Sequence, residues 1–461
     1  MKISICILIG VILNLTTSAQ TPKKAKADSI KKARALADTI KPVPDYVNDV
    51  RIVMENHEYQ PNIRTVMLHR SAPDRMSDID QLSEPVVALN TNDKLLLSFD
   101  DLQGGAREYY YTFLLCTANW EESNDLVMFD YIKGYTEDRI TDYKYSFNTI
   151  QPFTHYKIIF PNDNIRPIKS GNYVVLVYAD SDKEKPVLTR RFMIVDQKVT
   201  VTGRVHQATI PSDRDAKQEV DFSILHPDIQ IPNPFADLKV VVRQNSRWDN
   251  ACTNLQPLFI RENELVYDYE KENVFNGGNE FRFVDLRSLK IVNDRVRFYT
   301  NDSLHYVHSW LNDEVNRSRR HYFTETDING RFFCKTVEGW DYETQADYTW
   351  THFNLPYTSP QTNGTFYLFG ELSDWAIRPE FKLHYNSATQ SYQDSVLLKQ
   401  GYYNYDIVFL EDGKKGYDET FLEGNHYETE NEYVILVYFR SPAGRYDQLI
   451  GFQKFNSVKL Y

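Results

Sequence analysis

Tyr433-Val434-Ile435-Leu436-Val437-Tyr438-Phe439 is apolar at every position, whereas Tyr402-Tyr403-Asn404-Tyr405-Asp406-Ile407-Val408-Phe409 alternates. Successive side chains of a strand point to opposite faces of its sheet. The first stretch is therefore expected to be covered on both faces and to lie centrally in its sheet. The second should place Tyr403, Tyr405, Ile407 and Phe409 on one buried face, with Tyr402, Asn404, Asp406 and Val408 on the other.

Working outward, similar short runs recur between clusters of Asn, Asp, Gly and Pro, the pattern of antiparallel sheets. The clearest early ones are Leu95 to Phe99, Tyr109 to Leu115, His155 to Phe160 and Tyr173 to Tyr178. A second group holds Arg191 to Val195, Val199 to Val201, Val220 to Leu225, Leu238 to Arg243, Leu265 to Tyr269, Glu280 to Val284 and Arg331 to Lys335. A third holds Gly364 to Phe369 and Gln393 to Leu398 with the two stretches above. Asn329-Gly330 fits a type I′ hairpin turn, and Tyr131 to Tyr145 reads as a loop or twisted hairpin. Aromatic content of 14%, with 32 Tyr and 26 Phe, also suits pleated, half-buried surfaces.

A chain of 461 residues exceeds one ordinary core. The expected fold class is all-β, a tandem of immunoglobulin-like or early-set β-sandwich domains. The expected boundaries are 46–196, 197–356 and 357–461. Ahead of them, Lys2 and the apolar run Ile3 to Leu15 with small residues at Thr17 and Ala19 read as a cleavable signal peptide over 1–19, too short to span a bilayer. Residues 20–45 read as a Lys- and Ala-rich tether with almost no apolar face.

Charge narrows the partners. Residues 1–45 hold 8 of the 52 basic and 3 of the 64 acidic side chains, which leaves 46–461 with 44 against 61. A body this acidic repels phosphate backbones and anionic lipid surfaces, so neither nucleic acid nor direct membrane insertion is expected. Cys116, Cys252 and Cys334 are too few and too widely spaced for a cysteine-stapled scaffold or a zinc site, and read as small hydrophobes with one bridge at most.

Catalytic patterns are wanting. There is no Gly-x-Ser-x-Gly elbow, no His-Glu-x-x-His and no phosphate-cradling loop. His305 and His308 could meet only on a helix. Glu325-x-Asp327-x-Asn329-Gly330 matches half of a calcium loop, but Thr336 stands where the bidentate Glu belongs, so a turn is the better reading. Glu428-x-Glu430-x-Glu432 is expected on a solvated sheet edge. Trp340 and Trp375 offer sugar-stacking platforms, although large aromatics in β-proteins more often fill cores. No catalytic residue, cofactor or metal is assigned.

Six strings carry an identification. Leu97-Ser98-Phe99-Asp100-Asp101-Leu102, Ser146-Phe147-Asn148-Thr149 with Thr154-His155-Tyr156, and Leu188-Thr189-Arg190-Arg191-Phe192 come first. Arg243-Gln244-Asn245-Ser246-Arg247-Trp248-Asp249-Asn250, Phe275 to Arg282 and Glu428 to Tyr433 follow in order. Together they resemble the family of type IX secretion system plug proteins. Leu115 and Asn119 depart from the His-Cys-x-Ala-Asp-Trp pattern expected around Cys116. The resemblance implies a non-enzymatic periplasmic protein that docks on, and seals, the periplasmic opening of the large outer-membrane translocon barrel of this system. Leu368 to Trp375 and Leu398 to Tyr405 are also similar to early-set sandwiches of the glycogen-binding type, which makes a periplasmic glycan-binding protein the alternative.

Arg190, Arg191, Gln244, Asn245, Arg247 and Trp248 are the candidate partner contacts. Against that stands an internal role, because buried Arg and Asn commonly satisfy strand and loop carbonyls.

Overall fold

The structure is a computed structural model and describes residues 51–71 and 80–458. The expected signal peptide and tether lie outside the described residues. Among the described residues no helix exceeds four residues, so sheets carry the architecture, and no helix is long and apolar enough to cross a membrane.

Three sandwiches form around three cores. In the first, a sheet ordered His57–Glu58, Pro186–Val195, Gly171–Ala179, Tyr109–Cys116, Asp138–Arg139 faces a sheet ordered Ile63–Ser71, Lys94–Asp101, Thr154–Phe160, Asp142–Tyr145. Phe99, Phe113, Tyr156, Phe160, Tyr173 and Phe192 fill the space between them. The four early strand expectations fall inside these strands. Tyr131 to Tyr145 resolves into three short strands, Ile132–Gly134, Asp138–Arg139 and Asp142–Tyr145.

The second sandwich is discontinuous in sequence. Its one sheet runs Thr200–Gln207, Lys217–Leu225, Glu264–Tyr267, Phe259–Arg261. Its other sheet pairs Leu238–Gln244 with Glu432–Phe439, and that strand with Gln448–Asn456. The third sandwich is built from residues between these: Gly401–Glu411 pairs with Arg282–Asp285, Phe332–Cys334 and Gly364–Phe369, opposite a five-stranded sheet centred on Tyr348–Pro356. Strands on both sides of 356 thus share sheets in the second and third sandwiches. The expected boundary at 356/357 cuts through both, because short-range patterning identifies strands but not their distant partners.

Glu432–Phe439 is the central strand of its sheet and is covered on both faces. Tyr433, Ile435, Val437 and Phe439 enter the second core. Val434, Leu436 and Tyr438 pack with Met193, Val174 and Trp120 of the first sandwich. An apolar strand is stable here because two sandwiches supply its two covers. In Gly401–Glu411, Tyr403, Tyr405, Ile407 and Phe409 enter the third core as expected. The other face is also largely buried: Asn404 accepts from the Ile328 amide at 2.6 Å, and Val408 packs with Tyr367 and Phe369.

Asn329 and Gly330 have φ of 54° and 75°, which suits the expected turn. No strand lies between Val307–Leu311 and Phe332–Cys334, so it is a turn without a hairpin. Glu430 and Glu432 do not lie on a solvated edge. Glu432 pairs with Arg331 and Lys454 at 2.9 Å each, and Glu430 accepts from Asn329 and Asn456. Cys116, Cys252 and Cys334 are free thiols, the first and last buried and Cys252 partly so.

Candidate functional site

A crevice of about 890 Å³ opens where the three sandwiches meet. Each contributes charged side chains through ordinary strand geometry. In Pro186–Val195, Arg190 and Arg191 are neighbours and so point to opposite faces. Arg190 shares the parity of Leu188 and Phe192 and reaches the crevice from the end of the first core. Arg191 shares the parity of Met193 and lies in the interface with the second sandwich. Arg243 is the penultimate residue of the strand Leu238–Gln244, after which Asn245 and Ser246, with φ of 51° and 63°, swing the chain so that Trp248 returns to the crevice. The third sandwich adds Arg331 from the turn, Glu371 and Asp374 from a short 3-10 helix and its end, and Arg378.

Two ion networks join the walls. Glu58 accepts from Arg190 and, at 2.6 Å, from Arg378, which also holds Asp374 at 2.7 Å. Burial acts to raise the Glu58 carboxyl, but Arg190 and Arg378 outweigh it and hold the group well below the ordinary range. Glu84 pairs with Arg243 at 3.0 Å and lies 3.8 Å from Arg331, which bonds Leu82, Ser246 and Glu432. Glu84 is likewise held low, Arg243 outweighing burial. Glu371 differs: burial lifts its carboxyl to about 7 against the pull of Arg331, while it accepts from the Phe332 amide at 3.0 Å.

These are converging acids, the feature an enzyme reading asks for. Glu58 and Glu84 are clamped by guanidinium groups from different walls, and these charge-assisted bonds join the walls.

The six candidate contacts sort by burial. Arg190, Gln244, Asn245 and Arg247 are buried. Gln244 donates to Asn276 O at 2.8 Å and to the Tyr433 hydroxyl at 3.0 Å, and Asn245 donates to Asn431 at 2.7 Å. Arg247 pairs with Asp249 and Glu419 at 2.7 and 2.9 Å and lies over the rings of Phe369 and Trp375. Their polar atoms join strands and sandwiches within the chain. Arg191 and Trp248 are only partly buried and reach the crevice wall. Trp248 lies edge-on to Trp120 at 5.0 Å, with the Arg191 guanidinium 4.5 Å from the Trp120 ring and the Arg243 guanidinium 4.4 Å from that of Trp248.

Glu58, Arg331 and Arg378 carry no site signal in the sequence, and Trp120 enters it only as the end of the string around Cys116. Their contacts span up to 320 residues, and no local spacing signals them. A second missed constellation is His206, Glu219 and Asp221, brought together by cross-strand register, with His206 Nε2 2.7 Å from Asp221. His305 and His308 lie near and on a strand, where His308 meets His352 at 2.8 Å. Trp375 packs on Phe281 and Phe369, whereas Trp340 is fully exposed.

Comparison with known proteins gives two matches. The family model described as the type 9 secretion system plug protein first domain matches residues 63–196, the extent of the first sandwich. A crystal structure of a hypothetical protein from Parabacteroides merdae superposes with a TM-score of 0.83 at 32% identity, covering 88% of this chain and 100% of that one. No curated protein matches. Residues 63–196 of this chain are thus a type 9 secretion system plug protein first domain, the family that the sequence resembles.

Proposed function

We propose that this chain, whose first sandwich matches the type 9 secretion plug domain, docks from the periplasm on the outer-membrane translocon and seals its opening without transforming a substrate. The observation that supports this reading is the locked junction of the three sandwiches. The first and second share an apolar interface built on Val434, Leu436 and Tyr438, and the ion networks of Glu58 and Glu84 tie in the third. A seal must keep its shape while pressed against another protein, and buried interdomain packing of this kind resists hinge motion.

An exposed aromatic seam suits the docking face. Tyr145, Phe147 and Trp340 are more than half exposed, and the seam joins two sandwiches, with Lys144 3.7 Å from Asp341 and the Phe147 amide bonded to Thr344. Exposed aromatic clusters of this kind are typical of protein contact sites.

The test is recovery of the tagged chain from detergent-solubilised outer membranes. The translocon barrel is expected to come with it, and a deletion strain is expected to admit bulky solutes. A deletion strain that secretes normally, stays impermeable and yields a barrel with no missing partner overturns the proposal.

A further inference from the structure

Six arginines line the crevice, and four of them have acidic partners: Arg190, Arg243, Arg331 and Arg378. Arg191 and Arg64 form no ion pair among the described residues. Arg191 is the more unusual. Its Nε donates to Met54 O at 2.7 Å and its backbone amide to Asn56, while its two Nη atoms have no acceptor among the described residues. The guanidinium is held against Trp120 and Trp248, 4.5 and 5.6 Å from the ring centres, so its plane is fixed by packing rather than by a counter-ion. Burial pulls it down to about 10 against the upward pull of Glu55, an exposed carboxylate that forms no ion pair with it. Beside it, the buried Nε1–H of Trp120 also lacks an acceptor.

A desolvated guanidinium normally has a partner, because the loss of hydration is large and an opposite charge restores it. Here none of the crevice's carboxylates is bonded to it: the exposed Glu55 acts on it only from beyond ion-pair distance, and Glu58 and Glu84 are engaged elsewhere. Glu58 is taken by Arg190 and Arg378, and Glu84 by Arg243. What remains is a planar donor fork on the wall of a crevice large enough for a side chain and its flanking backbone. The complement of such a fork is a carboxylate, which takes two parallel N–H bonds from a guanidinium.

We infer that the crevice receives an acidic side chain of the protein on which this chain docks, with its carboxylate seated on Arg191. This rests on the plug reading for the identity of the partner, but the site itself is measured on the isolated chain. The occupant is an extended acidic segment, because a crevice of about 890 Å³ holds a side chain with its flanking backbone and no folded domain.

The experiment titrates the intact chain with an acetylated and amidated six-residue peptide alternating Glu and Gly. Tryptophan emission reports occupancy beside Trp120 and Trp248, and calorimetry checks it. Saturable binding is expected, with the matching Gln peptide weaker by roughly tenfold to hundredfold and Arg191→Gln weakening the Glu peptide to a similar extent. Trp120→Phe keeps the ring beside the guanidinium and removes one N–H, so a several-fold loss is expected there and serves as the test should Arg191→Gln fail to fold. Equal binding of the Glu and Gln peptides, no saturation in the millimolar range, or full affinity in both variants overturns the inference. Recovery of the barrel with the unmodified chain would still stand in that case, so the two failures are told apart.

Discussion

Lys399 donates to Asp100 at 2.6 Å across 299 residues, and both side chains are almost completely buried. Asp100 lies in Lys94–Asp101 of the first sandwich and Lys399 ends Ser391–Lys399 of the third, so the pair bridges two cores. The Tyr348 hydroxyl donates to the same oxygen at 2.7 Å, His155 meets the other at 2.6 Å, and the Lys399 ammonium lies 4.2 Å from the Phe153 ring centre. Burial acts to raise the Asp100 carboxyl, but Lys399 and then His155 outweigh it and keep it low.

Removing one partner of such a pair leaves the other charged and dry. Asp100→Asn is expected to lower stability by about 3–5 kcal/mol, read as a shift of the denaturant midpoint. Asp100→Asn combined with Lys399→Met removes both charges and is expected to regain much of that loss. An additive double variant would show that the two side chains act independently.

Asp394 presents the opposite case. It lies on the same strand with a buried Oδ2 that has no partner, and burial raises its carboxyl to about 7. A carboxyl raised in the folded state contributes stability that is complete below its unfolded value near 4 and is lost as pH rises through 7. Asp394→Asn is therefore expected to stabilise the chain by roughly 2–4 kcal/mol at pH 8 and by almost nothing at pH 4. Denaturant titrations of both proteins at the two pH values measure it.

His352 sets an acid limit. Its Nε2 meets His308 Nδ1 at 2.8 Å, its Nδ1 meets Ser395 Oγ at 2.7 Å, and Trp310 stacks on it at 3.7 Å. Burial, and then His308, lower it to about 3. A histidine depressed in the folded state contributes stability that is complete above its unfolded value near 6.5 and falls away toward pH 3. Wild type is expected to lose about 2 kcal/mol more than His352→Gln between pH 6.5 and pH 5. Parallel pH profiles in that interval would show no difference if the histidine were charged in the fold.

Strand positions were legible in the sequence where alternation or an unbroken apolar run fixed the burial of each residue, as in Tyr402 to Phe409 and Tyr433 to Phe439. The plug resemblance was legible too, in strings such as Leu188 to Phe192. What those strings do was not. Arg190 and Arg191 are adjacent letters that serve different interfaces, and their partners Glu58 and Trp120 lie more than 70 residues away. Nor could the nesting of the third sandwich be read, because Leu238–Gln244 and Glu432–Phe439 find each other by topology alone.

That nesting leads to the last expectation. The chain leaves the second sandwich near Gly277 and returns near Tyr427, and the two crossing segments lie against each other. The Gly277 amide bonds Ala216 O, and a Cβ added at Gly277 would stand 2.0 Å from His426 O. Only glycine permits that approach without moving backbone. Gly277→Ala is expected to destabilise the second sandwich by more than the ~1 kcal/mol typical of a point substitution. For the same reason a fragment of residues 197–356 lacks Glu432–Phe439 and Gln448–Asn456, leaving Leu238–Gln244 without its sheet and the core without Tyr433, Ile435 and Val437. It is expected to be unfolded by circular dichroism, whereas 197–277 joined by a short linker to 429–458 is expected to give a cooperative unfolding transition. A folded 197–356 fragment would mean that the second core does not depend on its C-terminal strands.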